Sequence, residues 1–213
     1  SDAIRFKAWD GNGGFANGQR DINTSGSPLQ NDLNSRNKLR SFLDQKTQET
    51  RWFEFISKSN ISWDAALLAA AGSRLGPLQG HLATFTSQAE IDTVKNQFPG
   101  TSWWIGASDR ATEGDWKWMA GPENGTSFWT GAANGGTVSG TYANWTTGQP
   151  DNGTNGVDQD YTLLTGSDGK WNDADGIRAN GYLVEYSPAF NAARNPFSAE
   201  QISANQTFQK VNR

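Results

Sequence analysis

Residues 149–173 read QPDNGTNGVDQDYTLLTGSDGKWND. Gln149, Asp151, Asn152, Asp158, Gln159 and Asp160 crowd one side of the apolar run Tyr161–Thr165, and Asn172 and Asp173 follow Trp171 on its other side. Every one of these side chains offers an oxygen, and they stand on turns that border short strands. Calcium takes about six to eight oxygens from carboxylates, amides and carbonyls on flexible backbone. Asn and Asp also populate turns because their side chains bond the local backbone. Composition alone therefore leaves two readings open, a turn-rich loop or a cation site.

Upstream of this stretch, WWIGAS (103–108) and DWKWM (115–119) read as short strands, as do YTLLT (161–165), KWND (170–173) and GYLVEY (181–186) downstream. Between them, residues 119–159 read mostly as loop, and a loop region of that length in a compact domain is usually functional. Asp109 and Glu113 lie four apart just after WWIGAS. The periodicity N-terminal to residue 103 is helical. Ser62 is placed to cap a helix from Trp63 to about Ser73. Ser87, with Glu90 three residues on, forms a capping box for a second helix carrying Ile91, Val94 and Phe98. Arg51–Ile56 and His81–Phe85 read as strands, and residues 38–46 as a short helix or strand. Alternation places Trp116 and Trp118 on one strand face, so these and Trp103, Trp104, Trp145 and Trp171 are expected mainly in the core rather than on a binding platform.

Composition excludes several functions. The chain of 213 residues has 24 Gly, 10 Trp and no Cys, so disulfides, cysteine-zinc sites and thiol catalysis are absent together. The net charge is −4, without a run of Lys or Arg, which disfavours nucleic acid as a partner. No apolar stretch approaches the roughly 18 residues of a membrane span. His81 is the one histidine and is expected to be structural. With neither Cys nor a second His, no nucleophile–base pair suggests itself, and the chain reads as a binding protein, not an enzyme.

Four segments then narrow the reading. Trp104-Ile105-Gly106, Glu113-Gly114-Asp115-Trp116-Lys117-Trp118, Gln149-Pro150-Asp151 and Trp171-Asn172-Asp173 follow one another in that order. In this order they resemble the C-type lectin-like family, over nearly all of residues 52–186. The resemblance implies an α+β fold with two helices, small antiparallel sheets and a long calcium-binding loop. It implies a principal Ca²⁺ site at Gln149, Asp151, Asn172 and Asp173, with Pro150 in a cis bond and sugar hydroxyls bound by the same groups. The family's Glu before the Asp-Tyr pair is Gln159 here, so the fifth ligand is either Gln159 or Asp158. Asp109, Glu113, Asn152 and Asp160 match a second calcium position, Asn152 replacing a more usual acid. Tyr161 and Val184 stand where half-cystines often occur.

Gln-Pro-Asp goes in this family with galactose-type sugars, and fucose is a rival because no Trp lies between 152 and 160. The implied function is calcium-dependent binding of galactose-type or fucosylated glycans on cell surfaces. The implied protein is a bacterial adhesin, secreted or at the cell surface, with this domain as a monomeric module of a longer chain. A protein- or ice-binding module on the same fold, or an accessory domain of an enzyme, is the competing reading. The expected organisation is a lectin-like domain at 51–186 inserted between flanks 1–50 and 187–213. The flanks would associate into a small β-rich module through Ile4, Phe6, Ala8, Phe42, Phe197, Ile202 and Phe208.

Overall fold

A computed structural model describes residues 39–95, 103–153, 157–165 and 168–190. Among these residues it has two helices and a mainly antiparallel sheet. The elements run β1 (Leu39–Leu43), β2 (Thr50–Ile61), α1 (Trp63–Gly72), β3 (Arg74–Leu75), β4 (Leu78–Leu82), α2 (Gln88–Val94) and β5 (Trp103–Ser108). Then follow β6 (Asp115–Trp118), β7 (Ser127–Thr130), β8 (Gly136–Thr137), β9 (Tyr161–Thr165), β10 (Lys170–Ala174) and β11 (Ala179–Tyr186).

Both helices begin where their caps predict. The Ser62 hydroxyl accepts from Ala65 N–H at 3.3 Å, and α1 buries Trp63, Ala66, Leu67, Ala70 and Ala71. The capping box of α2 is complete, with Glu90 N–H donating to Ser87 Oγ and Ser87 N–H to Glu90 Oε2. The expected strand at 81–85 forms earlier, at Leu78–Leu82, where it pairs with β11. Two short strands, β7 and β8, lie within the stretch read as loop. β7 pairs with β6, placing Trp129 opposite Trp116.

The sheet brings the two ends of the domain together. Antiparallel pairing sets Tyr186 opposite Trp52 and Tyr182 opposite Ile56. The same β11 pairs in parallel with β5, and β5 pairs with both β6 and β9. Alternate residues leave opposite faces of a strand. Trp103, Ile105 and Ala107 of β5 accordingly join one core cluster with Phe53, Phe55, Trp116, Trp118, Phe128 and Trp171. Trp104 joins a second cluster with α1, Leu82, Val184 and Tyr186. The six tryptophans expected in the core are all buried. Trp63 Nε1–H donates to Ile105 O, and Trp104 Nε1–H to Ile61 O, each at 2.8 Å. Tyr161 and Val184 both belong to the second cluster, so apolar packing occupies the half-cystine positions.

Gly106 shows why the Trp-Ile-Gly segment carries a glycine. Its N–H bonds Ala83 O and its carbonyl accepts from Met119 N–H. A Cβ there would stand 2.8 Å from the Leu82 carbonyl oxygen.

The sheet extends beyond the boundary drawn at residue 51. β1 pairs with β2 over Leu39–Leu43, and Phe42, assigned from sequence to a flanking module, packs against the first core cluster instead. The correction has a plain cause: β2 offers β1 an unpaired edge, and Phe42 finds apolar surface there. The remaining residues named for the flanking module lie outside the described residues.

Candidate functional site

β10 and the loop before it frame the site. Thr146 N–H donates to Trp171 O and Trp171 N–H to Asn144 O. Buried Asn144 donates to Gly169 O at 2.9 Å and accepts from Lys170 Nζ at 2.7 Å. The loop is thus tied to β10 before it reaches Gln149, and the Gln149–Pro150 peptide is cis, as expected. Beyond the cis bond, Asp173 Oδ2 accepts the backbone N–H groups of Asp151 and Asn152, at 2.8 and 2.7 Å. Asn152 takes a positive φ of 53°, a conformation that Asn tolerates better than most residues. Its amide then folds the loop onto itself, Oδ1 accepting from Gln159 N–H at 2.6 Å and Nδ2 donating to Asp158 Oδ1 at 3.1 Å.

These bonds produce an open cavity of about 360 Å³ lined by Gln149, Asp151, Gly153, Val157, Gln159, Asn172 and Asp175. Of the five principal residues singled out from sequence, Gln149, Asp151, Gln159 and Asn172 line it directly, and Asp173 is buried and joined to the loop through the N–H groups of Asp151 and Asn152. Gln149 Oε1 and Asp173 Oδ1 are buried acceptors without a hydrogen-bond partner. A buried acceptor without a partner costs about 1–3 kcal/mol, so such atoms at one place are what a cation site requires. Asn172 Nδ2 lies 2.7 Å from the Asp173 carbonyl oxygen. Turning this amide over would present two oxygens, Oδ1 and the carbonyl, to the same point. The donor set is all oxygen, carboxylate and amide, which fits calcium.

Asp109, Glu113 and Asp160 meet at a second place, each offering an oxygen within 4.8 Å of the others. Asp109 directly follows β5, and its N–H donates to Asp160 O at 3.2 Å. Its Oδ2 accepts from Gly114 N–H at 2.9 Å, whereas Oδ1 is buried without a partner. Burial, with Glu113 and Asp160 adding repulsion, pushes the Asp109 carboxyl up to about 7. Burial and neighbouring acids, Asp158 among them, also raise Glu113 and Asp160. Three mutually repelling carboxylates fit a divalent cation. Asn152, expected here from sequence, has both ends of its amide committed to Gln159 and Asp158. Asp158 is held by that amide and acts electrostatically on Glu113 and Asp160, while Gln159 faces the principal cavity.

A third polar cluster was not read from the sequence. Arg51 Nη1 lies 3.1 Å from Glu90, 3.5 Å from Glu123 and 3.4 Å from Glu185. Glu185 Oε2 accepts from Thr84 N–H at 3.2 Å and lies 3.1 Å from Thr84 Oγ1, which is itself 2.8 Å from Glu123 Oε2. One hydroxyl proton serves one carboxylate at a time, so the arrangement accommodates a proton on Glu185. Burial, reinforced by Glu123 and Glu90 and opposed by Arg51, pushes that carboxyl up to about 8. His81 is buried 3.9 Å from Glu185, lies against Phe190 with the rings tilted by 55°, and is held down to about 4 by burial. The residues come from positions 51, 81, 84, 90, 123 and 185, so no local spacing announced the cluster.

Comparison with known proteins agrees with this architecture. Residues 59–184 match the family model of the lectin C-type domain. The chain is 41% identical over 171 residues to halomucin of Haloquadratum walsbyi, covering 77% of this chain and 2% of that protein. It is 31% identical over 120 residues to the low affinity immunoglobulin epsilon Fc receptor of Mus musculus, covering 56% of this chain and 29% of the receptor. The chain therefore spans a small part of these curated relatives. Among solved structures, the human scavenger receptor C-type lectin carbohydrate-recognition domain superposes with a TM-score of 0.50 at 26% identity, covering 70% of this chain and 95% of that one. The family model runs through more than half of the chain, the four sequence segments fall on the sheet and its long loop, and this chain belongs to the C-type lectin domain family, with the α+β fold of that family.

Proposed function

We propose that this domain binds glycans in a calcium-dependent manner, with Gln149, Asp151, Gln159, Asn172 and Asp173 as the principal cation ligands and as partners of two vicinal sugar hydroxyls. The observation that carries the reading is the convergence of five amide and carboxylate side chains on one cavity, Asp175 among them, backed by the unpartnered Gln149 Oε1 and Asp173 Oδ1. Bound calcium would polarise the hydroxyls, making them better donors while leaving lone pairs free. Asp151 accepts only, whereas Gln149 and Asn172 carry both a donor and an acceptor end. The alternation of acid and amide therefore satisfies hydroxyls that donate and accept at once. A protein-only interface has no need of such pairing. The C-type lectin fold is typically non-enzymatic, which accords with a binding role.

Asp109, Glu113 and Asp160 would hold a second cation, with Asp158 beside them and Asn152 linking the two places. The ligands are cell-surface glycans of galactose-type or fucosylated composition, and the domain serves as the ligand-binding module of a secreted or surface-anchored bacterial adhesin. Among the described residues no helix is long and apolar enough to cross a membrane. A glycan array read with calcium and again with chelator tests the proposal. Binding to galactose- or fucose-terminated glycans that chelator abolishes supports it. An array without calcium-dependent signal, or calorimetry without calcium uptake at millimolar concentration, overturns it.

A further inference from the structure

Among the described residues the cavity wall is polar except at one side chain. Gln149, Asp151, Gln159, Asn172 and Asp175 present oxygens and nitrogens, Gly153 presents backbone, and of these lining residues Val157 alone presents methyl groups. Val157 is 51% exposed although it sits in a loop otherwise made of Gly, Asn, Asp, Gln and Thr. Single exposed aliphatics are ordinary on protein surfaces, but their distribution here is uneven. Among the described residues three large apolar side chains are exposed: Leu43, Val157 and Ile177. One of the three lines this cavity, and a second is bonded through its backbone to a lining residue. Val157 lines it, and Ile177 N–H donates to the side chain of Asp175, itself a lining residue, at 3.0 Å.

Among the described residues no aromatic side chain lines the cavity. A flat ring would cover the whole C–H face of a pyranose, but a valine offers a patch the size of another methyl. A hydroxymethyl group placed there would leave its hydroxyl facing carbon. A ring that carries a cis pair of hydroxyls for the acid and amide groups, and a bare methyl on an adjacent carbon, satisfies both parts of the wall.

We infer that Val157 is a specificity-determining residue, and that the preferred terminal sugar is a 6-deoxyhexose of the L-fucose type, its C6 methyl seated on Val157. The inference rests on the glycan-binding reading above and narrows its ligand class.

Three monosaccharides with one ring stereochemistry separate the methyl from everything else. D-Arabinose lacks C6, L-fucose carries it as methyl, and L-galactose carries it as hydroxymethyl. Their affinities are measured by calorimetry with calcium present, for the wild-type chain and for Val157→Ser. The expected result for wild type is L-fucose tighter than D-arabinose by about fourfold, the effect of burying one methyl, with L-galactose weaker than L-fucose. In Val157→Ser the L-fucose advantage falls to about onefold while D-arabinose affinity is kept. Equal affinities in wild type, or an advantage that survives in Val157→Ser, overturns the inference. Tight D-galactose or D-mannose binding with the L-fucose series inactive overturns it and leaves the glycan-binding reading standing. Failure of every sugar overturns both. Unchanged circular dichroism and calcium uptake in Val157→Ser show that the fold and the cation ligands are intact.

Discussion

The side chain of Asn152 accepts the backbone N–H of Gln159 at 2.6 Å, and this bond spans the tip of the cavity loop. Through its own N–H, Asn152 is also tied to Asp173, and through its Nδ2 to Asp158. One residue therefore ties the cavity loop both to Asp173 and to Asp158, the acid that acts electrostatically on Glu113 and Asp160. Its side chain works by positioning residues on either side of it.

Substituting Asn152→Gly isolates that role, because glycine adopts φ of 53° without strain and removes only the amide. Groups that orient metal ligands typically contribute about 10- to 100-fold to metal affinity. We expect Asn152→Gly to lower calcium affinity in that range, with sugar affinity falling in parallel. The calcium-free melting temperature should move by no more than a few degrees. Isothermal titration with calcium, alongside thermal denaturation in chelator, reads both. Unchanged calcium affinity would assign the loop's order to the backbone alone.

Asp151 and Asp173 should part company when each is changed to Ala. Asp151 is exposed, whereas Asp173 is buried and accepts two backbone N–H groups of the loop. Both variants are expected to lose calcium-dependent sugar binding. Only Asp173→Ala should also weaken the calcium-free domain, by about 3–6 kcal/mol, since its two hydrogen bonds to a charged group are worth about 1.5–3 kcal/mol each. Urea denaturation in chelator measures the difference. Equal stability of the two variants would show that the loop does not depend on the Asp173 carboxylate.

Much of this organisation is legible in the sequence because its signals are local. Ser62 and Ser87 sit three residues from the N–H groups that they cap, and the cavity ligands come from two short segments. What the sequence hides is long-range. β1 is held by pairing with β2, and its few apolar residues do not distinguish helix from strand. β7 exists because β6 offers it an edge, although Ser127–Thr130 is too short for any period to show. Asn152 looks like a cation ligand by position, but the backbone turn around it spends its amide on Gln159 and Asp158. The Arg51 cluster is assembled by β2, α2 and β11 together with the Glu123 turn, and nothing at any one of those positions signals the others.

That cluster makes stability depend on pH. Glu185 faces Arg51, His81, Glu90, Glu123 and Thr84. Its folded value of about 8 lies above the ordinary glutamate value of 4.5. Between these limits the folded state holds a proton that the unfolded chain releases, so stability from this group is lost as pH rises through the interval. A single proton sets the slope at no more than about 1.4 kcal/mol per pH unit. His81 acts the opposite way: its folded value of about 4 lies below 6.5, so its contribution is lost as pH falls through that range. Asp109 titrates in both proteins and drops out when wild type is compared with Glu185→Gln. The variant should gain stability relative to wild type as pH rises from 5 to about 8, as followed by urea denaturation in chelator. A difference independent of pH would place the proton elsewhere in the cluster.

The order of amide and acid at 149 and 151 is expected to choose between hydroxyl geometries. Gln149 offers both a donor and an acceptor end, and Asp151 offers acceptors alone. Exchanging them through Gln149→Glu and Asp151→Asn keeps the ligand count and the charge. It moves the donor across the cavity, so a hydroxyl that previously donated at one side must now accept. In the C-type lectin family the Glu-Pro-Asn order goes with mannose-type equatorial hydroxyls, so the double variant should shift toward mannose-terminated glycans. A discrimination of about tenfold corresponds to 1.4 kcal/mol, within the range of one well-placed hydrogen bond. A glycan array and calorimetry against D-mannose and L-fucose, both with calcium, measure the shift. Calcium uptake should survive because both sets of ligands are oxygens at the same positions. Retained calcium binding with an unchanged array profile would move specificity away from residues 149 and 151 to other loop contacts, with Val157 the first to examine.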